Sequence, residues 1–249
     1  MRAMLIAAFF RWLIPAALIL TATDAVQAEP LRLNSGVNAP YFQPDKRGFL
    51  DLLVPEVFRR LGLQAEALRY EASERAMLNA NSGLDDGVAL RIRGLEKAYP
   101  NLVLIDEKII DNEFVAYATR TDLASIGFQD IKAYQVGFIN GWKIFENNLP
   151  PGTPVTKVQT APQLFSLLTN NRADLVLYER WQGNHLLTEL GLKAHMLRPP
   201  LATTEMFMYL HKKHEHLAEP AARALRAMKA DGSYQRIAAN SLPGFGKSQ

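Results

Sequence analysis

Apolar positions recur along this chain in two alternating rhythms. Leu31-Arg32-Leu33-Asn34 alternates with period two and predicts a strand. After a loop with Gly36 and Pro40, Val54, Val57, Phe58 and Leu61 recur at helical spacing and stop at Gly62. Pro55 in that stretch implies that the helix starts there or kinks. Ala65 to Tyr70 is a second strand. Ser73 suits the cap of a short helix through Asn79, ended by Gly83. Val88 to Leu90 is a short strand with no polar face, as in a parallel sheet covered on both sides. The order β-α-β-α-β predicts an α/β lobe.

Two more strands are expected at Val103–Ile105 and Phe114–Ala118, and then a loop from Thr121 to Asp130. A second α/β pattern begins at Gln135-Val136-Gly137-Phe138 and breaks at Gly141-Trp142. A helix to Asn147 follows, then a turn at Pro150-Pro151-Gly152 and a strand at Val155–Val158. Ala161–Asn170 is a helix with Leu164, Leu167 and Leu168 on one face. Leu175–Leu177 is a strand, and Arg180–Leu190 a helix ending at Gly191. Met206–Leu210 returns to strand. Pro220 suits a helix's first turn, Gly232 its stop, and a last short helix carries Tyr234 and Ile237.

The N-terminus changes the picture. Arg2 and Arg11 precede the apolar run Trp12–Leu20, and Val26-Gln27-Ala28 has the small residues of a cleavage site. This predicts a secretory signal peptide over residues 1–28 and a soluble protein in the periplasm. A membrane anchor is the alternative; the run is short for one, and Pro15 interrupts it. The 249 residues include no cysteine, which excludes disulfides and thiol catalysis. A net charge of +3 is too balanced to imply nucleic acid.

Candidate chemistry gathers where strands end, since ligands of open α/β sheets bind beyond the carboxyl ends of the strands. Arg91, Arg93, Glu96 and Lys97 follow the Val88–Leu90 strand; Arg91 or Lys97 would hold an anionic group, or be solvated loop charges. Glu179 would receive a cation, or pair with Arg180. Tyr41 and Trp142 are aromatic walls or core. The N–H groups from Gly141 to Lys143 open a helix and suit an anion. Glu71 and Arg75 flank the end of the second strand and serve a ligand or each other. His211, His214 and His216 lie in a turn, where a shared metal-binding face is not assured. No metal, cofactor or catalytic residue is expected, and no Gly-x-Ser-x-Gly, His-Glu-x-x-His or P-loop occurs.

Four pieces in order carry a resemblance. They are Asn34 to Phe42 followed by Gly48; Gly137-Phe-Ile-Asn-Gly141-Trp142; Asp174 with Glu179 five residues later; and the tail from Leu217 through Gly232 and Tyr234 to Ile237. Together, after a signal peptide, they resemble the amino-acid-binding periplasmic solute-binding proteins, family 3, over about Leu31 to Leu242. The resemblance implies a type II periplasmic binding protein fold, two α/β lobes joined by two crossing strands near Tyr117 and Met206. Lobe one would be residues 29–115 and 207–249, and lobe two 116–206. It implies a monomer that takes a small polar, amino-acid-like ligand and serves an ABC permease or a membrane sensor. In the family an Arg clamps the ligand carboxylate; Lys97 falls at that place here, after Glu96, and Arg91 is the alternative. Glu179 falls where the family has an Asp for the ligand ammonium. The fold also hosts dehydratases of cyclohexadienyl acids, the enzymatic alternative, in which Glu71 or Glu179 would act as the acid.

Overall fold

The computed structural model describes residues 29–246. The expected signal peptide, residues 1–28, lies outside the described residues. Among the described residues no helix is long and apolar enough to cross a membrane.

The chain builds β1 (Leu31–Ser35), α1 (Phe49–Arg59), β2 (Ala65–Arg69), α2 (Ser73–Ser82), β3 (Gly87–Ile92) and β4 (Leu102–Ala118). It continues with β5 (Val136–Ile139), α3 (Lys143–Asn148), β6 (Val155–Val158), α4 (Ala161–Thr169), β7 (Leu175–Glu179) and α5 (Arg180–Glu189). It closes with β8 (His195–Met196), β9 (Ala202–His211), α6 (Ala218–Ala230) and α7 (Ser233–Ser241). The strands lie in the order β2-β1-β3-β9-β4-β7-β5-β6, with β8 beside β4. Parallel pairs β1–β2 and β1–β3 make one lobe, and parallel pairs β5–β6 and β5–β7 the other. The antiparallel strands β4 and β9 run between them, pairing Ile110 with Met206 and Phe114 with Ala202.

Each lobe has its own core. Leu33, Leu50, Val54, Phe58, Leu90 and Leu225 belong to one cluster, in which α1 and α6 cover the sheet. In the other lobe Phe138, Phe145 and Leu177 fill one face of the sheet, and Leu164, Phe165 and Val176 the opposite one. That is why β7 reads as a continuous apolar run: both of its faces are buried.

Four local expectations are corrected. The two strands expected at Val103–Ile105 and Phe114–Ala118 are one strand, β4. The charged run Asp106-Glu107-Lys108 that separates them is absorbed by a register shift between Ile105 and Ile110, where Lys108 meets Asp111 and Glu205. Such an irregularity breaks the period-two pattern without ending the strand. Arg91 lies within β3 rather than beyond it. Pro55 neither opens nor breaks α1, which starts after Gly48; the Asp51 carboxylate accepts from the N–H of Gly48 (3.1 Å) and of Gln43 (2.9 Å). Ser73 is the first residue of α2 and not its cap, a place taken by Ala72 without a side-chain bond. Gly83, in the left-handed region at φ 80°, does end α2 as expected.

Candidate functional site

A cleft of about 800 Å³ opens between the lobes. Its wall is made where strands end. Gly36 to Ala39 follow β1, Glu71 and Ser73 follow β2, Gln159 and Thr160 follow β6, and Glu179 closes β7. Asn112 and Phe114 of β4 and Met206 of β9 form the floor where the lobes join. A parallel strand delivers its last residues to a shared edge, so two such sheets set edge to edge generate this crevice.

Glu179 is the most constrained residue of the wall. It is only 1 % exposed and caps α5: Oε1 accepts from the N–H of Trp181 (3.0 Å) and Oε2 from that of Gln182 (3.0 Å). The Gln182 amide adds a bond to Oε2 (3.3 Å) and the Tyr41 hydroxyl one to Oε1 (3.3 Å). Three N–H donors thus hold the carboxylate, and a fourth approach comes from the Tyr41 hydroxyl, whose single hydrogen is shared with Asn112. Burial nevertheless disfavours its charge more than these bonds favour it, and lifts its pKa to about 7. Tyr41 is fully buried, its hydroxyl 2.9 Å from Asn112 Oδ1 as well as near Glu179. Burial, then the Glu179 charge, hold that phenol well above its ordinary pKa. Gln182 reaches across the cleft floor, accepting from the Asn38 N–H and the Tyr178 hydroxyl, each at 3.4 Å. Trp181 packs with the core of the first lobe and beside Phe245. The start of α5 is thus a plug of the second lobe seated in the first.

Arg91 presents the opposite situation. Its guanidinium donates to Leu90 O (3.1 Å), Ser73 O (3.3 Å) and Met77 Sδ (3.1 Å), all uncharged. It makes no ion pair within 4 Å, and desolvation holds its pKa below the ordinary arginine value, with Tyr99 and Glu74 opposing this. Three of five N–H groups are used, one on each nitrogen, so each terminal nitrogen keeps one free. The same cleft also carries an aromatic wall. Trp142 stacks on Tyr178 (centroids 4.9 Å apart) and meets Phe114 edge-on (6.1 Å). Ile139 and Leu186 extend this surface.

Of the residues singled out in the sequence, Glu71, Arg91, Trp142 and Glu179 come together on this wall. Tyr41 lies behind it and touches the site only through Glu179 and Asn112. Arg75 is exposed on α2, and Lys97 is exposed on a short 3-10 turn at Leu95–Lys97; neither lines the cleft. Gly141 makes the turn before α3 at φ 86° and leaves the wall to Trp142 and Lys143. Of the two alternatives for Glu71 and Arg75, a ligand or each other, their mutual pair does not form, and Glu71 is approached instead by Arg69 at 3.8 Å. Arg180 turns away to Glu113 (3.1 Å), so Glu179 is free of it. His214 bonds Asp86 (2.7 Å) instead of joining its neighbouring histidines. Sequence reasoning missed Asn112, Phe114 and Gln182. Gln182 was within reach, since a polar residue one turn into a helix that follows a buried strand is placed at the strand's edge.

No protein-family model matches the chain. A protein of Shewanella oneidensis, described as uncharacterized, is 24 % identical over 236 residues, covering 89 % of this chain and 86 % of its own. Among solved structures the chain is similar to the GluR0 ligand-binding core in complex with L-glutamate, with a TM-score of 0.73 at 10 % identity, covering 86 % of this chain and 99 % of that one. It is also similar to an ancestral arginine-binding protein bound to glutamine, at 0.67 and 18 % (88 % and 98 % covered). The substrate-binding protein of an amino acid ABC transporter matches at 0.63 and 16 % (85 % and 98 % covered). These likenesses define the class of the fold: this chain has the two-lobe architecture of the type II periplasmic binding proteins.

Proposed function

We propose that this chain is a periplasmic solute-binding protein that captures a small polar solute of the amino-acid kind between its lobes, for an ABC importer or a membrane sensor. The observation that carries the reading is Arg91, a desolvated cation without a counter-ion at the mouth of an interlobe cleft. A buried charge left unpaired is costly, so a ligand that supplies its partner gains from the protein's own deficit. The neighbours in fold include structures bound to glutamate, arginine or glutamine, which supports a solute of that size. In this reading the signal peptide of residues 1–28 exports a monomer whose lobes divide near residues 115 and 207. A thermal-shift screen of amino acids and small organic acids tests it. A ligand present at 100 times its Kd adds about 2.7 kcal/mol to the folded state, a readily seen shift. No stabiliser in such a screen would count against the receptor.

One observation favours a second reading. A cleft carboxylate with a pKa of about 7 beside a phenol is suited to hold a proton for general-acid chemistry. This supports the dehydratase alternative with Glu179 as acid. Incubation with cyclohexadienyl acids and a search for the aromatised product decides it; an unchanged substrate sinks this reading.

A further inference from the structure

The charged side chains of the cleft wall are unequally served. Glu179 is held by three N–H donors of Trp181 and Gln182 and closed off by the Tyr41 hydroxyl, whose hydrogen it shares with Asn112. Glu71 is 91 % exposed, solvated, and approached by Arg69. Glu189 pairs with His185 (3.5 Å), and Lys143 with Glu146 (2.6 Å). Among the described residues lining the cleft, Arg91 and Glu179 lack both a charged partner and free solvation, and of the two only Arg91 keeps unused N–H groups on its charged head. The wall therefore calls for an anion and offers a cation no desolvated, vacant acceptor. One free N–H on each terminal nitrogen of Arg91 matches the two oxygens of a carboxylate. The same cleft is lined by Trp142, Phe114, Ile139 and Leu186, which offer an apolar face with no hydrogen-bonding demand beyond the indole N–H.

We propose that the cleft takes a monocarboxylic acid with an apolar or aromatic body and no ammonium group, its carboxylate on Arg91 and its body on the Trp142 wall. The proposal rests on the solute-receptor reading and narrows it to acids of amino-acid size that lack the amino function. Glu179 is then a positioning residue: it caps α5 and holds Tyr41 and Gln182 in place, and does not touch the ligand's charge. An ammonium brought to this wall would lose its hydration without gaining a vacant carboxylate, and that penalty is what separates the two classes of acid.

Calorimetry on the intact protein with matched pairs tests this, phenylpropionate against L-phenylalanine and isocaproate against L-leucine. The acid without the amino group should bind about tenfold or more tightly than its partner. Arg91→Gln should weaken it by roughly thirtyfold or more, and Arg91→Lys, which keeps the charge but loses the fork, by less. Tighter binding of the amino acids would overturn the proposal, place the ammonium on Glu71 or Glu189, and leave the receptor reading standing. If no member of either pair binds, the proposed class is wrong. The receptor reading itself falls only if, in addition, no small molecule co-purifies with the protein.

Discussion

At neutral pH Glu179 stands near the midpoint of its own titration, with a pKa of about 7 against 4.5 for a free side chain. The structure has a place for the proton. On Oε1 it faces Tyr41, whose hydroxyl can accept it while donating its own hydrogen to Asn112 Oδ1. Because the folded-state pKa is raised, the folded chain binds more protons than the unfolded one between these values. Its contribution is fully present below pH 4.5 and is lost as pH rises through 7, amounting to roughly 2–4 kcal/mol over the window. We predict that the melting temperature of the empty protein falls between pH 5 and 8, and that Glu179→Gln removes most of that slope. His211, lowered by burial and its lysine neighbours, acts in the opposite sense, so the comparison with the variant isolates Glu179. A slope unchanged in the variant would assign the titration elsewhere. At pH 5 the variant should also be less stable by about 1 kcal/mol, because an amide at this cap opposes a backbone donor. Spacing after Asp174 made Glu179 visible in the sequence, but not its burial: a Glu-Arg pair at a strand end reads as surface until Trp181 is seen to carry the turn into the other lobe. Lys97 was placed by its position past a strand end and by the resemblance. Three-dimensional packing puts Arg91 on the cleft wall and leaves Lys97 off it, a choice that the sequence had left open.

At the scale of elements, punctuation was legible and continuity was not. Gly62, Gly83, Gly191 and Gly232 all adopt positive φ at the places where helices stop, a requirement of local geometry that sequence expresses directly. The unity of β4 was invisible because its middle is held by side-chain partners outside the strand, Lys229 with Glu107 and Glu205 with Lys108. A tighter constraint falls on α5. A Cβ on Gly183 would lie 2.3 Å from the Tyr117 hydroxyl, which itself donates to Arg180 O or Asn184 Oδ1. In an open helix Gly183→Ala would stabilise by about 1 kcal/mol through propensity. Here we predict a net loss of about 1–3 kcal/mol from overpacking against Tyr117, measured by urea unfolding. A stabilised variant would mean that α5 has room to move away from β4.

At the scale of the molecule, the lobes meet through two crossing strands and the seated start of α5. Among the described residues, Asn38, Tyr41, Asp111 and Glu113 receive that plug by hydrogen bonds, through Gln182, Glu179, Trp181 and Arg180. Few contacts of this kind favour hinge motion over rigid union, and a solute that binds both walls shifts the population toward closure by its differential affinity. Small-angle scattering should therefore give a smaller radius of gyration with saturating ligand than without; an unchanged radius would argue for a preformed, static cleft. The central claim is that Arg91 and the interlobe wall hold a small organic solute. Native mass spectrometry of the protein, purified from periplasmic extract without denaturation, tests it most directly. The wild-type protein should carry one small molecule per chain, released unchanged on unfolding, and Arg91→Gln should arrive empty. A bare wild-type protein, or an Arg91→Gln protein that retains the same mass, would contradict the account.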